Sequence, residues 1–135
     1  MADSTQNQNA VNQGSTFVWH ELYTGHTEEA QEFYSKVLDM GVQEMQMGEM
    51  GSYKMLTRNG QPVCGVVETS GHFAGTPPHW ATYLSVDDVD ARVELAKQHG
   101  GVLLAGPHDV PTVGRMALIK DPQGAAIWMF KSAPM

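Results

Sequence analysis

Trp80-Ala81-Thr82-Tyr83-Leu84-Ser85-Val86-Asp87-Asp88-Val89-Asp90 is the stretch on which the fold turns. Its first seven residues, aromatic, branched and short of breakers, predict a strand. Asp87 or Asp88 then offers a carboxylate to the unpaired N–H groups at the start of a helix that carries Val89, Val93 and Ala96 on one face. Gly100-Gly101 closes the helix. Downstream, Val102 to Ala105, Arg115 to Lys120 and Ala125 to Phe130 read as three strands, with Asp121-Pro122-Gln123-Gly124 as the last turn. The order is βαβββ.

The same order occurs upstream. Phe17 to Tyr23 predicts a strand ending at Thr24-Gly25, and Thr27 is placed to cap a helix whose first turn holds Glu28 and Glu29, where the helix dipole favours acids. Ala30, Phe33, Tyr34, Val37 and Leu38 follow helical spacing up to Gly41. Val42 to Met47, Ser52 to Thr57 and Pro62 to Glu68 supply three strands, separated by Gly48/Gly51 and by the tight-turn pair Asn59-Gly60.

The predicted class is therefore α+β, with two βαβββ modules forming an eight-stranded, partly open barrel-like sheet around a cavity. Residues 1–15 are polar and aperiodic and read as a disordered tail. Residues 16–135 read as one domain, with module 1 over 16–69, a Gly/Pro-rich linker over 70–78 and module 2 over 79–131. One helix covers only one face of a four-stranded sheet, so the modules are expected to pair around a shared concavity, the default place for a ligand. Pairing within one chain and exchange between two chains both satisfy this, and a homodimer stays among the expected assemblies.

Composition narrows the function classes. With 41% hydrophobic and 17% charged residues in 135, the chain is typical of a globular protein. Eight Lys and Arg against fifteen Asp and Glu leave a net charge of −7, which repels phosphate backbones and anionic lipid heads. Nucleic acid and membrane are thus not expected partners. The single cysteine, Cys64, has no disulfide partner in the chain and fits a reducing cytoplasm. No apolar run is long enough to cross a bilayer, and the first fifteen residues lack the basic start and apolar stretch of a signal peptide.

The doubled βαβββ pattern, Phe33-Tyr34 on the first helix, the Leu84 to Asp90 junction and Asp121-Pro122-Gln123-Gly124 together resemble the vicinal oxygen chelate superfamily over residues 16 to 131. That superfamily includes glyoxalase I, bleomycin-resistance proteins, fosfomycin-resistance enzymes and extradiol dioxygenases. Trp19-His20-Glu21-Leu22, Pro77-Pro78-His79-Trp80 and Asp109 to Ala117 are similar to its branch of predicted enzymes related to lactoylglutathione lyase. The resemblance implies a divalent metal held by one ligand on the first and one on the last strand of each module. Counted from Phe33, Asp87, Gly60 and Gly124, those positions fall on Trp19, Ala81, Cys64 and Trp128. That set is unsuited to a hard divalent cation, so neither metal nor other cofactor is expected. A one-residue slip would bring His20 to the first position but reverse the face its side chain takes.

Alternation from Trp19 puts Phe17, Glu21 and Tyr23 on one face of the first strand, and the corresponding face of the second module carries His79, Ala81 and Tyr83, with Ala126, Trp128 and Phe130 from the last strand. A carboxylate among aromatic side chains suits a general base, with His79 as its acid partner; the plainer alternative has Glu21 and His79 satisfying each other at the seam between modules. Tyr53 is either a cavity residue or strand packing, Cys64 either lines the ligand space or is a small core residue, and Arg115 either clamps an anionic group or is an ordinary surface arginine. His108-Asp109 reads as an exposed pair. His26, His72 and His99 fall at helix ends or in the linker.

Three functions follow. The first is a metal-independent protein of the bleomycin-resistance kind that stacks a small, flat or apolar molecule on Trp19, Tyr83 and Trp128, with Tyr23, Tyr53, Cys64, Arg115 and Phe130 around it. The second is a lyase- or isomerase-type enzyme with Glu21 and His79 as acid and base. The third is a metal-dependent lyase with displaced ligands, His20, Glu21 and His79.

Overall fold

The computed structural model describes residues 16–70 and 74–134; the polar tail and His72 lie outside them. Eight strands and two α-helices are found among the described residues: β1 (Thr16–Thr24), α1 (Thr27–Leu38), β2 (Gly41–Gln46), β3 (Ser52–Arg58), β4 (Gln61–Glu68), β5 (His79–Ser85), α2 (Val89–Gln98), β6 (Val102–Val110), β7 (Gly114–Lys120) and β8 (Ala126–Ser132). This is the α+β class with two βαβββ modules. Backbone proximity divides the chain into a unit of Trp19–Ala81 and a second unit holding Thr82 onward with the start of β1. No helix among the described residues is long and apolar enough to cross a membrane.

Within the first unit the strand order is β2-β3-β4-β1, antiparallel except for the parallel pair β4/β1. The second unit repeats the plan as β5-β8-β7-β6, with β5/β8 parallel. A strand that returns parallel to its module's first strand needs a crossover, and α1 and α2 open those crossovers.

Each helix covers one face of its own strands. In the first unit Leu22, Leu56, Cys64 and Val66 form a buried cluster beneath Ala30, Tyr34 and Met40. In the second, Val86, Ala117 and Met129 pack with Val89 and Val93 of α2, joined by Leu103 and Ile119. Removing these side chains from water at about 25 cal/mol per Å² drives each unit's packing.

Several local expectations are corrected. Thr27 is the first helical residue rather than the cap: His26 holds the cap position without a side-chain bond, and the Thr27 hydroxyl accepts from Lys54 Nζ at 2.9 Å. The helix ends at Leu38 on Asp39, whose φ of 56° makes the left-handed turn anticipated for Gly41, and Gly41 instead begins β2. The apolar row of α1 is split, since Ala30 and Tyr34 pack inward while Phe33, Val37 and Leu38 are exposed. Gln31 is buried in their stead and donates to the Met55 carbonyl at 3.3 Å. Asp88, by contrast, does cap α2, accepting from Ala91 N at 3.0 Å. β6 runs on past Ala105 to Val110 through two register irregularities.

One irregularity bears on the site. β4 pairs Pro62 with Thr57 but Cys64 with Leu56, leaving Val63 as an extra residue, whereas β7/β8 runs from Lys120↔Ala126 to Gly114↔Ser132 without a shift. Counting equal steps from Gly60 and Gly124 therefore reaches opposite faces: Cys64 joins the helix-covered cluster, while in β8 it is Met129, next to Trp128, that does so.

Candidate functional site

Because Leu22 faces the α1 cluster, strand alternation sends Trp19, Glu21 and Tyr23 to the opposite face of β1. Leu56 fixes β3 in the same way and sends Tyr53 to that opposite face, while Cys64 and Val66 on β4 leave Gly65 there. These residues converge on one carboxylate. Tyr53 Oη donates to Glu21 Oε2 at 2.5 Å, Tyr23 Oη donates to Oε1 at 3.1 Å, and Trp19 Nε1 donates to Tyr53 Oη at 2.9 Å. Glu21 is only 7% exposed, so the charge of its carboxylate rests on donors built into the protein. Burial, and then the Glu21 charge, push the Tyr53 phenol well above the ordinary tyrosine range.

His79, at the start of β5, is exposed, and its ring stacks on Tyr23 at 5.1 Å with 5° between planes. Its Nδ1 lies 2.8 Å from the Pro77 carbonyl, which can only accept, so Nδ1 donates there. The contacts thus link His79 to Glu21 by way of Tyr23.

The second unit carries a separate aromatic group on the face its helix leaves uncovered. Tyr83 stacks on Trp128 at 5.2 Å and 6°, Phe130 meets Tyr83 edge-on at 6.4 Å, and His108 meets Trp128 edge-on at 6.2 Å. Tyr83 and Trp128 are 6% and 4% exposed, so each covers much of the other's face.

Two anticipated residues go elsewhere. Cys64, 3% exposed, sits in the helix-covered cluster, and burial raises its thiol pKa. Arg115 lies beside a shallow groove of about 330 Å³ lined also by Asp109, Thr112, Lys131 and Ser132. Its fork is already engaged: Nε and Nη2 donate to Asp90 at 2.8 and 2.9 Å, and Nη1 donates to Asp109 at 3.1 Å. Lys131 likewise donates to the Asp87 carbonyl at 3.0 Å.

The residues present do not fit the metal that the resemblance implies. Among the described residues no three His, Cys, Asp or Glu side chains group so as to hold an ion. Trp19, Ala81 and Trp128 bring no suitable donor, and Cys64 is embedded among apolar side chains.

Sequence reasoning missed Gly65 and the Trp19–Tyr53–Glu21 chain. The available signal was a glycine inside the apolar strand Pro62-Val63-Cys64-Gly65-Val66-Val67, which marks a close approach by another group. That Tyr53 is the group involved depends on cross-strand register, which a one-residue bulge reset.

A family model described as Glyoxalase/Bleomycin resistance protein/Dioxygenase superfamily matches residues 16–129. CFP32 of Mycobacterium tuberculosis (strain CDC 1551 / Oshkosh), a glyoxylase by name, is 37% identical over 124 residues, which are 92% of this chain and 47% of that protein. The anthracycline biosynthesis protein DnrV of Streptomyces peucetius is 26% identical over 129 residues, 87% of this chain and 47% of that protein. The chain thus spans about half the length of these relatives. Among solved structures, methylmalonyl-CoA epimerase from Mycobacterium tuberculosis has the same fold, with a TM-score of 0.63 at 18% identity over 99% of this chain and 94% of that one.

Proposed function

The chain belongs to the Glyoxalase/Bleomycin resistance protein/Dioxygenase superfamily, and from that premise we propose that it binds a small, flat or apolar molecule without the family's metal, on the aromatic face around Glu21. One observation carries this reading: a buried carboxylate held by the Tyr23 and Tyr53 hydroxyls and framed by the Trp19 indole. Aromatic side chains offer rigid apolar area, and the polar centre gives direction to what they hold. Burial at about 25 cal/mol per Å² makes one indole face worth on the order of 1–2 kcal/mol to a flat ligand.

A second reading, a metal-free lyase- or isomerase-type enzyme, is favoured by the stacking of His79 on Tyr23, which sets an imidazole beside the residue that donates to Glu21. The relatives' names add the chemical neighbourhood, glyoxylase for CFP32 and anthracycline biosynthesis for DnrV.

The test is ligand-observed NMR of the full chain with a panel of flat aromatic and aliphatic small molecules, repeated on Trp19→Ala and Glu21→Gln. Hits that lose about tenfold in affinity on Trp19→Ala support the reading. Hits indifferent to both substitutions overturn it.

A further inference from the structure

We propose that Gly65 is the positioning residue of the Glu21 site: its bare Cα leaves the space over β4 from which the Tyr53 ring delivers its hydroxyl to the carboxylate. The inference rests on the reading of Glu21 as the polar centre of the ligand face. In the parallel β1/β4 pair Gly65 lies directly opposite Glu21. A Cβ built on Gly65 would fall inside the van der Waals radii of Tyr53 Oη and Cζ and 3.1 Å from Cε1. No residue with any side chain at this position is compatible with the observed place of the ring.

The requirement is set by the ring and not by the backbone. Gly65 is an ordinary strand residue without the positive φ of the turn glycines, so an L side chain is sterically allowed by its own main chain. The two modules show the alternatives. In β5/β8 the position opposite Tyr83 is filled by Trp128, whose ring stacks on it. In β1/β4 the position opposite Glu21 is empty of side chain, and a residue from the next strand lies across it. The Val63 bulge is what turns Gly65, rather than Cys64, toward this face.

Two bonds depend on the arrangement: the one from Tyr53 to Glu21 and the one from Trp19 to Tyr53. The displaced atoms are the far end of a side chain, so Gly65→Ala is expected to move the ring and keep the strand. The Trp19 indole N–H then loses its acceptor, and the Tyr53 phenol, freed from burial and from the Glu21 charge, ionises nearer the ordinary tyrosine value of about 10.

The experiment uses the full chain. The Trp19 Nε1–H resonance is assigned with Trp19→Phe, and Tyr53 ionisation is read by ultraviolet titration against Tyr53→Phe. The expected result is a folded Gly65→Ala protein whose Trp19 resonance moves to its place in Tyr53→Phe and whose Tyr53 titrates at lower pH than in the parent. A folded variant with both signals unchanged overturns the proposal. Should Gly65→Ala not fold, Tyr53→Ala/Gly65→Ala decides: recovery of the fold identifies the ring as the obstacle and supports the proposal, and continued failure overturns it. None of these readouts needs a ligand, so they separate this inference from the ligand-face reading, which fails alone if bound molecules ignore Trp19→Ala and Glu21→Gln.

Discussion

His79 lies flat against Tyr23, with ring centroids 5.1 Å apart, and Tyr23 in turn gives its hydroxyl to Glu21 at 3.1 Å. An exposed imidazole and a buried carboxylate are thereby coupled through one tyrosine whose ring and hydroxyl do different work. His79→Phe separates the functions, because it keeps a stacking ring and removes both nitrogens. For a binding protein the expected outcome is unchanged affinity for flat ligands and a stability change within about 1 kcal/mol, read by urea denaturation and ligand titration. Loss of a measurable turnover by about a hundredfold in His79→Phe would instead favour the acid–base enzyme.

Glu21→Gln tests the carboxylate. The carboxylate accepts from Tyr53 on one oxygen and Tyr23 on the other, and an amide keeps only one acceptor atom. One phenol O–H loses the carboxylate oxygen as acceptor in a largely buried place, at a cost of about 1–3 kcal/mol in unfolding free energy. The Tyr53 phenol, relieved of the neighbouring negative charge, ionises at lower pH than in the parent. An unchanged denaturation midpoint and an unchanged tyrosine titration would contradict this arrangement.

Trp128→Ala is expected to act first on stability. The indole is 4% exposed, with Tyr83 stacked on one face and His108 at its edge, so truncation leaves a hole beside two rings. Trp→Ala in a core typically costs about 3–5 kcal/mol, a large part of a small domain's total. Trp128→Phe, which keeps a ring for Tyr83, loses less. Equal midpoints for the parent and Trp128→Ala in guanidinium would show that the stack is not a structural element.

The fold was legible because its signals are local and repeated. Two strand-to-helix junctions, the Gly100-Gly101 end of α2 and two sets of three strands announce the βαβββ plan, and Asp88 caps α2 as its sequence context implies. Trp19, Glu21 and Tyr23 were also legible as aromatic and acidic residues of one parity on the first strand, whereas Tyr53 stood open between a cavity residue and strand packing. What sequence alone withheld was register. Val63 adds one residue to β4, and that insertion moves Cys64 beneath α1 and brings Gly65 opposite Glu21. The partners of Arg115 were hidden for another reason: Asp90 lies on α2, twenty-five positions away in the chain, and only the packing of α2 brings it to β7.

Cys64 is a poor ligand for the family metal. Burial raises the thiol pKa, so the thiolate that would bind a soft ion is scarce near neutral pH, and the nearby cluster supplies only apolar contacts. Ellman's reagent is expected to modify Cys64 slowly in the native protein and promptly in guanidinium. Elemental analysis of purified protein is expected to find no stoichiometric zinc, nickel, manganese or iron. About one ion per chain, with a lowered unfolding temperature after chelation, would contradict the donor assignment.

The pairing of Arg115 with Asp90 makes a prediction about acid. The guanidinium donates twice to the carboxylate and holds the Asp90 pKa below the usual aspartate range, chiefly through those hydrogen bonds. A carboxyl whose folded pKa is depressed stabilises the native state above its unfolded value of about 3.9, and that contribution is lost as pH falls through the folded value. Both groups are open to solvent, so the effect on total stability is small and salt-sensitive. The titration of Asp90 itself is the clear readout. In Arg115→Gln the carboxyl resonance of Asp90 is expected to titrate at higher pH than in the parent. Arg115→Lys, which keeps the charge but not the fork, is expected to fall between them. An Asp90 midpoint that is the same in all three proteins would mean that the guanidinium is not committed to α2 and is available to an anionic ligand after all.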